Sequence, residues 1–259
     1  MSVAVIIAAS GSGTRLGGDM PKQFQMLGGK PVLAHTLEAF NRLDIINTIV
    51  IAAPAEYVIH TQEICTKYGY EKVLAVVPGG TNRAESVYAA LKKLPANIVN
   101  HDTDISAHTR INNPKFSASH NNTVKDYAAG IVLIHDGVRP FVTDILIKAV
   151  VKSTHTHGAA IAGTVLTDTL KEADENGQVI STPSRERFWR TQTPQGFTYQ
   201  LIMKAYAQGE KDGILPHVTD DSALVERLGV AVQMVEGHPS NIKITTREDM
   251  LLGEVLLRT

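Results

Sequence analysis

A single cysteine, Cys65, stands in 259 residues, so no disulfide can close within the chain, and a thiol-poor sequence fits a reducing compartment, the cytoplasm. Cys65 itself reads as an apolar filler on a helix rather than as a nucleophile. Neither sign of charge is in excess: 25 Lys and Arg against 26 Asp and Glu leave a formal net charge of −1. That balance gives no global basic field of the kind that holds nucleic acid, so any anionic ligand has to be gripped by a local cluster. Long hydrophobic runs are missing too. None approaches the roughly 18 apolar residues of a membrane span, and no membrane association is expected. The apolar start, Met1 to Ala9, lacks a basic n-region and is shorter than a secretory h-region, so it reads as a strand.

With 43% apolar residues the chain can bury a sizeable core, and the pattern along it is one α/β domain over 1–259 carrying an insertion. Val3–Ala9 is a continuous apolar run ending in a glycine-rich loop, which is how a strand buried on both faces of a parallel sheet reads. Pro31 opens a helix with Leu33, Leu37 and Phe40 at helical spacing, and Thr48–Ala53 is a second apolar strand. Glu56–Tyr68 reads as helix with Gly69 as its C-cap, Val73–Val77 as strand, and Asn82–Leu94 as helix with Val87, Leu91 and Leu94 inward. Ile131–His135, a helix from Thr143 and Ala159–Val165 continue the alternation, which implies right-handed βαβ units and a parallel sheet.

Two stretches depart from it. From Pro95 to Ala129 the periodicity fails and Asn, His, Thr and Ser dominate, so an insertion or long loop of about 97–129 is expected. His101, His108 and His120 within it lack the close pairing of a zinc site. Further on, Asp168–Ala173 and Gln178–Thr182 flank Glu175-Asn176-Gly177, and Asn-Gly is the strongest short hairpin signal. A protruding two-stranded arm of about 166–190 is expected. After it come two helices, strand Val230–Val235, strand Ile242–Thr245 and a last helix from Arg247 to Leu257.

The loop Ser10-Gly11-Ser12-Gly13-Thr14-Arg15-Leu16-Gly17 suits a phosphate, because glycines let backbone N–H groups approach an anion closely. A dinucleotide fold would want a third glycine where Leu16 stands and an acid after the second strand, which ends Ala52-Ala53-Pro54. A Walker loop would close on Gly-Lys-Ser or Gly-Lys-Thr, and neither follows. Arg15 and Lys22 could wrap a triphosphate, or the loop could be surface with solvated cations. His135-Asp136-Gly137-Val138-Arg139-Pro140 follows a buried strand, which places Asp136 and Arg139 at the same sheet edge as the loop. Asp136 could bind a ribose or substrate hydroxyl, or a water on Mg²⁺, while Arg139 contacts phosphate; alternatively Asp136 caps a turn and Arg139 pairs with it. Lys243, inside the apolar Ile242–Ile244, lies either at a sheet edge or in a site. By default Trp189 is packing, and Arg185 and Arg187 are solvated.

These residues taken in order carry a resemblance: Ala8-Ala9-Ser10-Gly11-Ser12-Gly13-Thr14-Arg15-Leu16, Pro21-Lys22-Gln23-Phe24, Gly79-Gly80 with Arg83-Ala84-Glu85-Ser86-Val87, His135 to Pro140, Asp168-Thr169-Leu170-Lys171, Thr193-Pro194-Gln195, and Asn241-Ile242-Lys243-Ile244-Thr245. Together they resemble the 2-C-methyl-D-erythritol 4-phosphate cytidylyltransferases of the non-mevalonate isoprenoid pathway, over nearly the whole chain apart from the insertion. The resemblance implies a Rossmann-like three-layer nucleotidyltransferase fold and transfer of CMP from CTP, with Mg²⁺ carried mainly on the CTP phosphates. Arg15 and Lys22 match transition-state stabilisers, and Arg185 and Lys243 match residues that position the polyol phosphate. Ala8, Ala9, Ser10, Gly11, Gly13, Gly80, Thr81 and Ser86 fall in the nucleotide pocket, and Asp136, Arg139, Thr169 and Thr193 at the polyol phosphate, with Asp136 also near the nucleotide. A homodimer whose arms cover each other's sites is implied as well. Three features depart from the family pattern: Ser10 after Ala9 with a loop one residue longer, Thr81 where an acid is common, and the insertion. Because the chain stops soon after its last helix, the cyclodiphosphate synthase fused to some relatives is expected to be absent. The rivals are a ribitol 5-phosphate cytidylyltransferase and a non-catalytic nucleotide sensor on the same fold, the latter expected to have lost Arg15 or Lys22.

Overall fold

The computed structural model describes residues 2–11, 20–94 and 130–258. Arg15, Gly13 and the expected insertion therefore lie outside the described residues. Seven strands form the central sheet in the order β11-β7-β10-β6-β1-β4-β5. These are β1 (Val3–Ala8), β4 (Thr48–Ala53), β5 (Val73–Pro78), β6 (Ile131–Asp136), β7 (Ala159–Val165), β10 (Trp189–Thr198) and β11 (Gln233–Glu236). All pairings are parallel except those of β10, which runs antiparallel to both β6 and β7.

Alternation along β1 explains the three layers. Val3, Val5 and Ile7 face one cluster with α1 (Val32–Asn41), α2 (Val58–Tyr68) and α4 (Asp144–His157), while Ala4 and Ile6 face the other with α3 (Arg83–Leu91) and α5 (Tyr199–Lys211). Both faces are buried, so the run shows no polar alternation. Two of the expected helix starts carry side-chain caps: Asn82 accepts from Glu85 N, and Thr143 from Leu146 N. Gly69 ends α2 at φ +66°, the left-handed turn only glycine adopts cheaply.

The sheet order reverses at β1: the chain steps outward through β4 and β5, then returns to place β6 on the other side of β1. A crevice opens at the carboxyl ends of strands that diverge in this way. Short strands β2 (Met26–Leu27) and β3 (Lys30–Pro31) make a separate ribbon, against which α7 (Arg247–Leu256) packs. β8 (Glu172–Ala173) and β9 (Val179–Ser181) form the expected hairpin as a separate two-stranded sheet. Its turn is built by Asp174, whose Oδ1 accepts from Asn176 N at 3.0 Å and Gln178 N at 2.8 Å.

One expected strand is absent and one strand was not expected. Ile242–Thr245 is not a strand: its backbone makes one ladder-like bond to the body, Ile244 N to Val138 O at 2.8 Å. The stretch 189–198, by contrast, is a ten-residue strand in the middle of the sheet. A proline inside such a run argues against a central strand, because it cannot donate to the ladder. Here the cis Thr193-Pro194 bond lies in a bulge between Thr191 and Gln195, which skips the missing donor.

Candidate active site

Strand ends deliver the site. Ala9 leaves β1 with its N–H on Ala52 O at 2.8 Å, and Gly137 leaves β6 with its N–H on Ala8 O at 2.9 Å. The glycine loop thus starts between two neighbours. Its entry is held from inside by Gln23, a buried side chain whose Nε2 donates to Ala9 O at 2.7 Å and Gly11 O at 3.1 Å. Gln23 lies in the short 3₁₀ turn Lys22–Phe24, with Phe24 buried and stacked on Tyr57 at 4.9 Å. Lys22 therefore stands on an anchored turn beside the loop rather than on a floppy one.

The second wall is the β5–α3 loop. Ser86 Oγ donates to Asn82 O at 2.7 Å and accepts from Gly80 N at 3.0 Å and Ser10 Oγ at 2.7 Å. Gly79 is pressed against the first loop so closely that a Cβ there would stand 2.3 Å from Ser10 Cβ. Ser10, a departure from the family pattern, is thus the contact joining the two loops. Thr81 is committed locally: its N–H and hydroxyl both reach Glu85 Oε2, at 2.9 and 2.6 Å.

At the centre lies Asp136, the last residue of β6 and nearly buried. Lys243 Nζ is 2.9 Å from its Oδ2, Arg139 Nε 3.5 Å from the same oxygen, and Arg83 Nε 3.3 Å from Oδ1. Burial alone would push this carboxyl up; the charges of Arg83, Lys243 and Arg139 outweigh it and hold it well below the usual carboxylate range. Of the alternatives left open, Arg139 does pair with Asp136, and its Nη1 also donates to Asn241 O at 2.8 Å. Lys243 is brought there by an irregular segment, so its direction comes from a side chain: Asn241, buried, whose Nδ2 donates to Gln192 Oε1 at 3.2 Å and Thr193 O at 2.9 Å in the β10 bulge.

Thr193 faces inward. Its buried hydroxyl accepts from Asp136 N at 3.1 Å and meets His135 Nδ1 at 3.0 Å, so it orients the Asp136 backbone instead of lining the surface. Burial pushes the His135 imidazole down to about 4. Thr169 and Arg185 lie apart from this cluster. Both are exposed on the arm, where the Arg185 guanidinium donates to Thr167 O. Arg83 was not singled out from the sequence as a site residue, although it lies within the Gly79-to-Val87 stretch; its signal was an arginine one residue after a helix cap, which also suits a solvated helix start.

The described residues do not build a cage for a divalent cation. Among them no three His, Cys, Asp or Glu side chains cluster suitably, and both Asp136 oxygens face cations. No described helix is long and apolar enough to cross a membrane.

A family model described as 2-C-methyl-D-erythritol 4-phosphate cytidylyltransferase matches residues 3–111 and 116–259. The curated protein of that name from Desulforamulus reducens is 36% identical over 258 residues, covering 99% of this chain and 96% of the relative. Its counterpart from Alkaliphilus oremlandii is 38% identical over 258 residues, with 99% and 95% covered. Among solved structures, a 4-diphosphocytidyl-2C-methyl-D-erythritol synthase from Anaerococcus prevotii superposes with a TM-score of 0.77 at 29% identity, covering 100% of this chain and 99% of the other.

Proposed function

The chain belongs to the 2-C-methyl-D-erythritol 4-phosphate cytidylyltransferase family, and we propose that the crevice between the Ala9–Gly11 loop, Gly79-Gly80 and the Asp136 cluster is where it carries out that family's reaction. It is a nucleotidyltransferase of isoprenoid precursor synthesis, transferring CMP from CTP to 2-C-methyl-D-erythritol 4-phosphate and releasing pyrophosphate. The observation that carries the site assignment is the convergence of Lys243, Arg139 and Arg83 on one carboxylate beside a glycine loop at the switch point of the sheet.

Phosphoryl transfer of this kind asks for placement and charge stabilisation rather than covalent help. A phosphate oxygen of the polyol phosphate attacks the α-phosphorus of CTP in line; the P–O bond to the β-phosphate breaks, and its electron pair leaves on pyrophosphate. The attacking dianion is already a nucleophile, so no general base is needed. This suits a site where His135, the histidine beside Asp136, is buried and engaged on both ring nitrogens. Negative charge grows on the α-phosphoryl oxygens, and we assign its stabilisation to Arg15 and Lys22. Lys243 and Arg139 face the polyol phosphate, with Asp136 holding them in place. Asp136 neutralises only part of their charge, so the pair keeps its pull on a dianion. A divalent cation carried on the CTP phosphates would offset their negative charge. Backbone groups near Ala8 and Gly80 read the cytosine.

The arm completes the enzyme as a homodimer. Val179, Ile180 and Phe188 are 60%, 63% and 43% exposed on the hairpin and the segment that follows it, and a two-stranded hairpin is barely stable alone, so these side chains call for cover. Arg185 and Thr169 then serve the partner's site. Mixing Arg185→Ala with Lys22→Ala subunits under exchange makes about half the dimers mixed, each with one whole site, so activity recovers to roughly a quarter of wild type. No recovery after verified exchange removes the arm from the partner's site.

The test of the function is pyrophosphate release with each of four nucleoside triphosphates and with methylerythritol and ribitol phosphates. CTP with methylerythritol phosphate gives the highest kcat/KM, and UTP is rejected by a large factor, because a site that pairs with an amino group disfavours the analogue lacking it. Comparable turnover with UTP, or preference for ribitol phosphate, refutes the assignment.

A further inference from the structure

Next to the cluster lies a second, completely buried carboxylate. Asp221 opens α6 (Asp221–Arg227), accepts the Tyr206 hydroxyl on Oδ1, and receives Arg83 Nη2 on Oδ2 at 2.7 Å. Arg83 is therefore shared between two acids, and its tighter half belongs to Asp221, since its Nε stands at the longer 3.3 Å from Asp136. Asp221 is itself held firmly. The adjacent Asp220 accepts from Ser222 N at 2.8 Å and from Gln195 Nε2 at 2.7 Å, and Tyr206 is stacked on Tyr88 at 5.3 Å.

We infer that Asp221, steadied by Tyr206, is a positioning residue for the reaction, acting through Arg83 to decide how Asp136 shares its two oxygens. The inference rests on the assignment of Lys243 and Arg139 to the polyol phosphate. A guanidinium is a planar fork that prefers a two-point grip on one carboxylate. Asp221 occupies one prong, so only Nε turns to Asp136 Oδ1, and Oδ2 stays with Lys243 at 2.9 Å and Arg139 at 3.5 Å. When the charge at 221 is removed, the half-buried guanidinium has one acid left. It closes on Asp136 with two donors and drives Lys243 off Oδ2. The same change raises the charge of the five-residue cluster from one positive to two positive, because three cations then face one carboxylate instead of two. Lys243 loses the contact that orders it, and the polyol phosphate loses its positioned partner.

A double-mutant cycle separates this from a merely structural role. Wild type, Asp221→Asn, Arg83→Gln and the double variant are compared by steady-state pyrophosphate release, varying CTP and the polyol phosphate separately, with melting temperature measured alongside. Asp221→Asn lowers kcat/KM for the polyol phosphate at least about tenfold while KM for CTP moves less than about threefold. In the Arg83→Gln background the same substitution changes kcat/KM less than about twofold, because no guanidinium remains to be redirected. Equal losses in both backgrounds overturn the relay and leave Asp221 as a support of the fold. Tyr206→Phe, which keeps the stacking on Tyr88 and the charge of the cluster, is run through the same cycle if Asp221→Asn does not fold. It is held to the same criterion, with a smaller loss in the same parameter. A crystal structure of a folded variant of the pair reads the relay without turnover: Arg83 closed on Asp136 with Lys243 displaced supports it, and Arg83 unmoved overturns it. A wild-type enzyme that fails to use the polyol phosphate therefore defeats the functional assignment alone.

Discussion

Acidification is predicted to loosen the carboxyl edge from inside, through His135. The ring is fully buried, with Nδ1 3.0 Å from Thr193 Oγ1 and Nε2 3.1 Å from the carbonyl of Arg139. One assignment of hydrogens satisfies every group. Asp136 N–H donates to the Thr193 oxygen, the Thr193 hydroxyl donates to Nδ1, and Nε2–H donates to Arg139. A second ring proton, on Nδ1, would oppose the hydroxyl proton. Burial is the chief cause that pushes the imidazole down from 6.5 to about 4, with the Arg139 carbonyl and Asp136 acting against it. Because the folded value lies below the unfolded one, the unfolded chain takes up the proton first as pH falls. The stability this group contributes is whole above about pH 6.5, drains between there and 4, and levels off below. The loss comes to about 2 kcal/mol between pH 7 and 5 and about 3 kcal/mol by pH 4. Asp136, whose carboxyl is held low, begins to yield its own contribution only as pH falls through the ordinary carboxylate range, so the two separate between pH 7 and 5. Urea unfolding at pH 7 and 5, followed by circular dichroism, measures the difference for wild type and for His135→Asn, a change that cancels the other histidines. The variant is less stable at pH 7 and loses about 2 kcal/mol less on acidification than wild type. Equal pH dependence in the two proteins refutes the reasoning.

Lys22→Ala and Arg15→Ala each cost at least about 10²-fold in kcat, the size of losing one donor to a developing oxyanion, with a smaller change in CTP affinity; lost CTP affinity with kcat intact would show that they hold only the ground state. Lys243→Ala raises KM for the polyol phosphate at least about tenfold and leaves KM for CTP nearly unchanged, as steady-state kinetics with each substrate varied will tell. Gly79→Ala places a Cβ 2.3 Å from Ser10 Cβ, an atom one bond from the backbone that cannot swing away. The two loops must part, so calorimetric CTP binding weakens; unchanged binding would mean that the loops do not form one pocket.

Local rules carried the sequence reading wherever the chain obeys one rule at a time. Thr48–Ala53 and Ala159–Val165 are strands over the ranges their apolar runs mark, Gly69 caps the helix it was expected to cap, and helices start at Asn82 and Thr143 as expected. The misses fall where two rules conflict. Pro194 suits no central strand by the general rule, and a bulge between Thr191 and Gln195 accommodates it. The alternation Ile242-Lys243-Ile244 suggested a strand, but Asn241's grip on Gln192 and Thr193 determines that segment, and contacts between residues 49 and 48 apart leave no periodic trace. The same distinction runs through the site. Asp136, Arg139 and Lys243 were visible as charges at strand ends, where topology alone implies a ligand crevice. Arg83 and Asp221 were not, because a charged residue in the first turn of a helix is what an ordinary solvated helix start shows. Only burial tells them apart, and burial is a property of the neighbours. Thr193 is the converse case: the family resemblance places it at the polyol phosphate, yet its hydroxyl points at His135. Its hydroxyl acts on the site through the Asp136 backbone that it holds in place.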